Sequence, residues 1–178
     1  MGKTAEDVLR ECHIKRPPVP VEEIPAHYGI QVCELRGSSD IFGAILRGSD
    51  RVVIAINPTQ HPNRQRFTFA HELGHYFCHP NDAEHVDRDF RISWRRTDSP
   101  KGINWKEVEA NRWAAALLMP EEFLRRDLDL LELDRIAQFE EALIRQLASR
   151  YRVSPPAMKL RLFHMGVLLS PELNVSGT

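Results

Sequence analysis

Five residues near the middle of the chain constrain its fold more than any other feature. They are His71-Glu72-Leu73-Gly74-His75, an H-E-x-x-H pattern. Successive residues of an α-helix are about 100° apart, so the two histidines would lie about 40° apart and about 6 Å along the axis. Two imidazoles placed in this way can bind one metal ion, and the glutamate between them can reach a water molecule at that ion. The pattern therefore predicts a helix that carries a metal site.

The residues around this motif also favour a helix. Apolar or small residues recur at spacings of three and four, which predicts one buried face; they are Phe67, Ala70, Leu73, Gly74 and Phe77. A glycine costs an exposed helix about 1 kcal/mol relative to alanine, so we expect Gly74 where another element packs closely. A purely structural helix with two partly buried histidines is the alternative. Motif and stripe together favour a metal-dependent hydrolase.

A catalytic zinc site needs a third protein ligand and one coordination position left for water. A second helical pattern, at 105–119, ends before Pro120 and offers Glu107 and Glu109. We favour Glu107 because Asn111 follows it by one turn, and metal-bound histidines usually donate their second N–H to an acceptor. Glu109 lies about 200° around the helix and is the alternative third ligand. Two solvated surface glutamates are the remaining possibility.

The helix face that carries Glu107 and Asn111 also carries small residues. Ala110 and Ala114 lie on it, at helical spacing. Small side chains allow two helix axes to approach, so we expect this face to pack closely on the helix of the two histidines.

Three stretches resemble the ImmA/IrrE family of metallo-endopeptidases, over about residues 20–165. They are Arg66–Tyr76, Glu107–Pro120 and Ile54–Asn57. The resemblance implies a zincin-like fold in which a glutamate of the second helix completes a His-His-Glu zinc site. Trp113 stands where the family more often has phenylalanine, which we expect to affect packing only. The charged segment at 82–104 has no close match, and substrate selection is expected to differ there.

The same resemblance implies a biological role. Members are cytoplasmic endopeptidases that cleave helix-turn-helix (XRE-type) repressors or antitoxins, usually encoded beside them. They act in transcription regulation, in toxin–antitoxin pairs or in stress responses. For this chain we therefore expect a protein substrate of that type, encoded nearby.

The expected chemistry is zinc hydrolysis, with one ion per chain. Zinc lowers the pKa of a bound water toward about 7, and Glu72 would accept its proton and then deliver it to the leaving amine. A further donor should stabilise the oxyanion. The candidates are Tyr76 and His79, and Tyr28 and Tyr151 are further alternatives. His79 would lie about 12 Å along the helix from the first histidine of the motif, so we expect it at the helix end rather than at the ion. Manganese is an alternative ion.

Composition narrows the class of protein. The 178 residues carry a net charge of −1 and an isoelectric point of about 6.7, which argues against a protein whose main task is gripping nucleic acid. The three cysteines have no C-x-x-C spacing and are expected to be reduced thiols. The amino terminus has no apolar core of a signal peptide, and no apolar run is long enough to span a bilayer. These observations predict a cytoplasmic protein.

The rest of the chain predicts an α+β fold. Apart from the two motif helices, we expect helices at 4–12, 21–28, 121–127 and 135–150. Short apolar segments at 30–35, 41–46 and 51–56, separated by turn residues, predict a three-stranded antiparallel meander. An edge of that sheet beside the metal helix could receive substrate as an added strand. We place a metallopeptidase domain at 1–130, a helical subdomain at 131–170 and a flexible tail at 171–178.

The segment 147–168 is similar to a helix-turn-helix. DNA binding is one interpretation, and a helical pair that packs on the peptidase domain or docks the substrate is the other. We favour the second because Lys159 and Arg161 are the only basic residues of the second helix before its end, so we do not expect direct DNA binding.

Two functional classes follow for the whole protein. One is a zinc endopeptidase, and the other is a partner- or DNA-binding regulator with a structural or sensory metal site. Oligomeric state is not predicted.

Overall fold

The structure, a computed structural model, describes residues 2–36, 40–82, 84–87, 104–129 and 136–168. Helices and strands form an α+β fold, as predicted. In chain order they are α1 (Ala5–Glu11), α2 (Ile24–His27), β1 (Gln31–Glu34), β2 (Gly43–Arg47), β3 (Val52–Ile56), α3 (Pro62–Cys78), β4 (Glu84–Asp87), α4 (Trp105–Leu118), α5 (Glu121–Asp129), α6 (Ile136–Tyr151) and α7 (Pro155–His164). The predicted tail at 171–178 and most of the segment 82–104 lie outside the described residues.

The sheet differs from the predicted three-stranded antiparallel meander. It has four strands in the order β1-β3-β2-β4, and β1 pairs with β3 in parallel. The pairs β2–β3 and β2–β4 are antiparallel. The prediction was wrong about β1 because apolar runs and turn residues locate strands but do not choose their partners. The strongly apolar β3 lies between two strands, which satisfies its backbone on both edges.

Local signals set most of the helix ends. The side chain of Thr4 accepts from Asp7 N–H and Asp7 bonds back to Thr4, a capping box that begins α1 as predicted. Helix α4 ends at Leu118, just before Pro120. Helix α2 is shorter than the predicted 21–28, because Pro25 is tolerated only in a first turn and the helix begins next to it.

Helices α3 and α4 pack very closely at Gly74. A β-carbon placed there would lie 2.8 Å from the carbonyl oxygen of Ala110 and 3.0 Å from its Cα. Ala110 and Ala114 are fully buried on the facing side of α4. The predicted close approach of the two helices is therefore confirmed, and it places the Glu107 face of α4 over the histidines of α3.

We expect Gly74→Ala to destabilise the protein by roughly 1–2 kcal/mol. The β-carbon would meet backbone atoms, which cannot rotate aside, so the overpacking should cost about 2–3 kcal/mol, the upper part of the usual range. The gain in helix propensity of about 1 kcal/mol offsets only part of that cost. Urea unfolding would measure the change. Gly48→Ala is the matched control, because its β-carbon would make an ordinary contact, 3.5 Å from Arg51 O. Unchanged or increased stability of Gly74→Ala would contradict the close packing.

One continuous apolar core joins the helices and the sheet. From α3 it includes Phe69, Leu73 and Phe77, and from α6 and α7 it includes Leu147 and Leu162. Trp113 of α4 is also buried in this core. Its ring stacks on Phe77 with 5.3 Å between centroids, and its indole N–H donates to the carbonyl of Lys3 at 2.9 Å.

Helix α6 is tied to α5 by a buried polar group. The hydroxyl of Tyr151, which is 0% exposed, donates to Asp127 at 2.9 Å, and Arg150 pairs with the same carboxylate at 2.7 Å. Burial and the bond to Asp127 raise the pKa of Tyr151 above its ordinary value. The phenol therefore stays protonated and holds the two helices together.

Replacing Tyr151 by phenylalanine should lower the free energy of unfolding by about 1–2 kcal/mol. The substitution removes the hydroxyl that donates to the carboxylate of Asp127, and it leaves one buried oxygen of that carboxylate without this hydrogen bond. Thermal unfolding would record it as a lower Tm. Tyr28→Phe serves as the control, because its hydroxyl bonds the more exposed Glu11 and the change should cost less than half as much. Equal effects at both positions would contradict the role of the buried pair.

The two helices of the helix-turn-helix-like segment, α6 and α7, are present. The N-cap of α7 is Ser154, whose side chain accepts from Ala157 N–H. Two basic residues of α7 make contacts within the protein. Lys159 pairs with Glu140 at 3.2 Å, and Arg161 donates to the carbonyl of Met119 at 3.0 Å. This arrangement favours the packing interpretation, while the absence of DNA binding stays a prediction. Within the described ranges, no helix has the length and apolar character needed to cross a bilayer.

Candidate metal centre

Helix α3 carries the H-E-x-x-H motif in its most buried part. His71, Glu72 and His75 are each at most 1% exposed. Pro62 occupies the first turn of the helix, where a missing N–H costs nothing. Arg66, one turn before the motif region, donates to Val19 O at 2.8 Å and to Glu22 at 2.9 Å. These contacts fix α3 against the amino-terminal segment and so hold the motif in place.

Three donor atoms converge between α3 and α4. The Nε2 atoms of His71 and His75 are 3.1 Å apart, and the carboxylate of Glu107 lies 3.3 Å from the first and 3.2 Å from the second. Donors arranged tetrahedrally at about 2.0–2.1 Å from a zinc ion would be about 3.3 Å apart. The spacing and the N, N, O donor set therefore fit a metal ion, and this group can bind one.

The two glutamates of α4 lie in different surroundings. Glu109 points elsewhere, since its carboxylate lies 3.7 Å from His79 and its side chain is 62% exposed. The side chain of Glu107 is 20% exposed and lies against both histidines. Asn111, the expected acceptor for a histidine N–H, is 2% exposed on α4. Among the described residues its Oδ1 has no hydrogen-bond partner, and its role stays a prediction.

Burial also sets the ionisation state of one donor. It lowers the pKa of His75 below the ordinary value, the contact with Glu107 opposes this shift, and the neighbouring His71 adds to it. Neutral imidazole is the form that binds metal. The environment therefore favours the metal-binding form of His75 at neutral pH.

Glu72 lies over the sheet, next to a residue that the sequence reasoning missed. A β-carbon at Gly43 of β2 would overlap Cγ2 of Thr68 and would lie 3.4 Å from Oε1 of Glu72. Only glycine leaves room there, so Gly43 lets α3 sit close to β2 with the Glu72 carboxylate at the interface. The only signal in the sequence is a glycine at the start of an apolar strand.

Arg47, at the end of β2, was also missed. Its guanidinium donates to the carbonyl oxygen of His75 at 2.9 Å and to that of Asp82. Burial lowers the pKa of this guanidinium, and the charges of Asp82 and Glu72 oppose the shift. Arg47 therefore joins the last turn of α3 to the sheet. One signal in the sequence could have indicated this role of Arg47. It is a single cation in an apolar strand, on the same face as Ile45 two residues before it.

The structure separates the candidate oxyanion donors. The hydroxyls of Tyr28 and Tyr151 donate to Glu11 and Asp127, and both serve contacts away from the donor group. His79 is the C-cap of α3, as expected, with its ring centroid 5.5 Å from that of His75. Tyr76 follows His75 directly and has the Arg47 guanidinium 5.9 Å from its ring. Tyr76 and His79 stay as candidates, and neither role is tested.

The comparisons with known proteins agree with this fold. The sequence matches the peptidase M78 family, described as IrrE N-terminal-like domain, over residues 26–163. Among curated proteins, none matches significantly. One similar solved structure is a Mycobacterium tuberculosis transcriptional regulator, with a TM-score of 0.57 and 18% sequence identity. The alignment covers 89% of this chain and 44% of that one, so the chain spans less than half of that protein.

The family match confirms both the predicted resemblance and the α+β, zincin-like fold class. The likeness to the solved structure supports the fold alone, because the identity is low. Since the matched region spans most of the sequence, the chain belongs to the peptidase M78 family, whose domain is described as IrrE N-terminal-like.

Proposed function

We propose that this protein is a zinc-dependent endopeptidase that cleaves a helix-turn-helix (XRE-type) repressor or antitoxin encoded nearby. Family membership supports a metallopeptidase or a regulator of this type. The observation that carries the enzymatic proposal is the buried His71–His75–Glu107 group with Glu72 on the same helix. A purely structural metal site does not require that glutamate.

His71, His75 and Glu107 would hold the metal. Two imidazole nitrogens and one carboxylate oxygen suit zinc, and manganese is the alternative because carboxylate ligands also suit that ion. When bound, zinc would supply Lewis acidity that makes water acidic enough to ionise near neutral pH. With three protein ligands, one coordination position is left for the chemistry.

Glu72 would act as the general base. It precedes Leu73 and follows His71 on α3, so its carboxylate lies on the same stretch of helix as both histidines. A carboxylate there can accept a proton from the attacking water and return it to the leaving amine. Its burial over Gly43 keeps bulk water away from the carboxylate, which strengthens its electrostatic interactions. Tyr76 or His79 would stabilise the oxyanion.

The substrate class comes from the family rather than from the geometry of the site. A protein substrate suits a peptidase domain, and a repressor or antitoxin is the type of substrate that the resemblance implies. The cytoplasmic location is likewise a prediction, consistent with three free thiols at Cys12, Cys33 and Cys78.

Cleavage of the regulator encoded next to this chain tests the proposal. Purified regulator would be incubated with zinc-loaded protein, with and without a chelator, and the products would be identified by intact mass. We expect one defined cut that the chelator prevents and that added zinc restores. An intact regulator in every reaction, with one zinc bound per chain, would contradict the proposed substrate.

A regulator with a structural or sensory metal is the second candidate. The observation that favours it is the fold shared with a protein described as a transcriptional regulator. Binding of promoter DNA at nanomolar concentration, with a steep dependence on salt, would support this candidate. The inward-facing contacts of Lys159 and Arg161 argue against it.

A further inference from the structure

A large groove lies beside the metal centre, where α3, α4 and α7 meet. Its volume is about 1120 Å³. Phe67 connects it to the centre, because its side chain lines the groove and its ring stacks on His71 with 6.4 Å between centroids. A molecule bound in the groove would therefore lie next to the metal-binding histidines.

The walls of the groove are largely apolar. Side chains from all three helices form them, among them Phe67, Ala115, Ala116, Met119 and Leu160. Two of the polar residues there are already used within the fold. Asn63 donates to the carbonyl of Val153 at 3.1 Å, and Ser154 caps α7. The groove is thus suited to apolar side chains rather than to a strongly polar ligand.

The ionisable residues that line the groove are all basic. They are Arg64, Arg112, Arg161, His61 and His164, and no aspartate or glutamate lines it in the part of the chain that the structure describes. Burial lowers the pKa of His164, and the guanidinium groups of Arg112 and Arg161 lower it further. This shift favours the neutral imidazole of His164, so the positive charge of the groove comes from its three arginines. Burial lowers the pKa of Arg161 and the charges of Glu121 and Glu6 oppose this shift, and its guanidinium also donates to the carbonyl of Met119.

Size and charge together define the occupant. Small-molecule pockets usually have volumes of about 300–1,000 Å³, and this groove exceeds that range. Apolar grooves between helices commonly receive one face of an amphipathic segment, and a basic lining selects for carboxylates. We propose that the groove binds an apolar, acidic segment of the protein substrate, apart from the bond that is cleaved. This inference rests on the proposed function, since it assumes a protein substrate.

Two labelled peptides test the specificity without any cleavage. Both would be helical peptides of about 15 residues with leucines along one face; one would carry glutamates on the other face and its partner lysines. Fluorescence anisotropy with the full chain would measure binding. We expect the acidic peptide to bind at least tenfold more tightly than the basic one. Equal binding of the two peptides would overturn the proposal.

Charge reversal locates the binding surface. Arg112 is exposed on α4, so Arg112→Glu should fold normally and weaken binding of the acidic peptide at least tenfold. Arg145→Glu is the matched control, because it makes the same change of charge on the exposed face of α6, outside the groove. Equal binding by wild type and Arg112→Glu would contradict the groove as the site. A dimeric wild type that Arg112→Glu makes monomeric would instead assign the groove to a second copy of the chain, which also overturns the proposal.

The regulator separates this inference from the proposed function. With the intact regulator, Arg112→Glu should raise KM at least tenfold, and with a short peptide that spans only the cleaved bond it should leave kcat/KM within twofold. Equal losses on both substrates would overturn the role of the groove while the endopeptidase stands. If the chain cleaves nothing but still prefers the acidic peptide, the endopeptidase fails and the specificity of the groove holds.

Discussion

Glu72→Gln is expected to reduce the rate of regulator cleavage by about 10²–10⁴-fold, the usual contribution of a general acid–base group. Glutamine keeps the size of the side chain and can still fit over Gly43, but it cannot accept a proton. Zinc should still bind at one ion per chain, because Glu72 is not one of the three donors. The measurement is kcat/KM by intact mass, alongside the zinc content of the same sample.

The control for this variant is Glu109→Gln. It makes the same chemical change at a carboxylate that is exposed and lies away from the donor group, so its kcat/KM should stay within about twofold of wild type. A Glu72→Gln protein that binds zinc and cleaves at the wild-type rate would exclude Glu72 as the base. Loss of zinc together with activity would mean that the residue acts in the structure of the site.

Among the glutamate variants, Glu107→Ala should weaken zinc binding the most. It removes one of three donors and leaves two imidazoles, so the affinity for zinc should fall by more than the roughly 10–100-fold loss that follows from removing an outer-shell partner. Competition with a chelating dye would measure the Kd. Cleavage should be lost in parallel, and excess zinc should restore little of it.

Glu109→Ala decides between the two glutamates. Its side chain is exposed and contacts His79, so zinc affinity should remain within about twofold of wild type. The reverse result, with normal affinity in Glu107→Ala and loss in Glu109→Ala, would show that α4 presents its other face to the metal. Equal, small losses in both variants would mean that the third ligand lies elsewhere.

Signals that act within one or two helical turns were sufficient for much of this fold. The capping pair Thr4 and Asp7 marks the start of α1, and Pro120 marks the end of α4. The i, i+4 spacing of His71 and His75 places both imidazoles on one side of α3. Such features depend on helix geometry, which a few neighbouring residues determine, so they could be predicted without knowledge of tertiary contacts.

Features that depend on partners distant in sequence could not be predicted in the same way. The parallel pairing of β1 with β3 requires a choice among strands that composition does not specify. Gly43 and Arg47 matter because α3 crosses β2, and nothing local to β2 indicates that crossing. The groove likewise exists only because α7 packs beside α3 and α4. Glu107 could be predicted in part. Its helix follows from local signals, but the preference for Glu107 over Glu109 depended on the position of Asn111.

In the proposed enzyme, His71, His75 and Glu107 form a catalytic metal centre with one coordination position open to exchange. Zinc K-edge X-ray absorption of the zinc-loaded chain, with and without acetohydroxamate, tests it most directly. We expect one zinc per chain, a shell of two imidazole nitrogens and oxygen ligands without sulfur, and a spectrum that changes when acetohydroxamate is added. A spectrum that acetohydroxamate leaves unchanged, or a chain that binds no zinc, would contradict it.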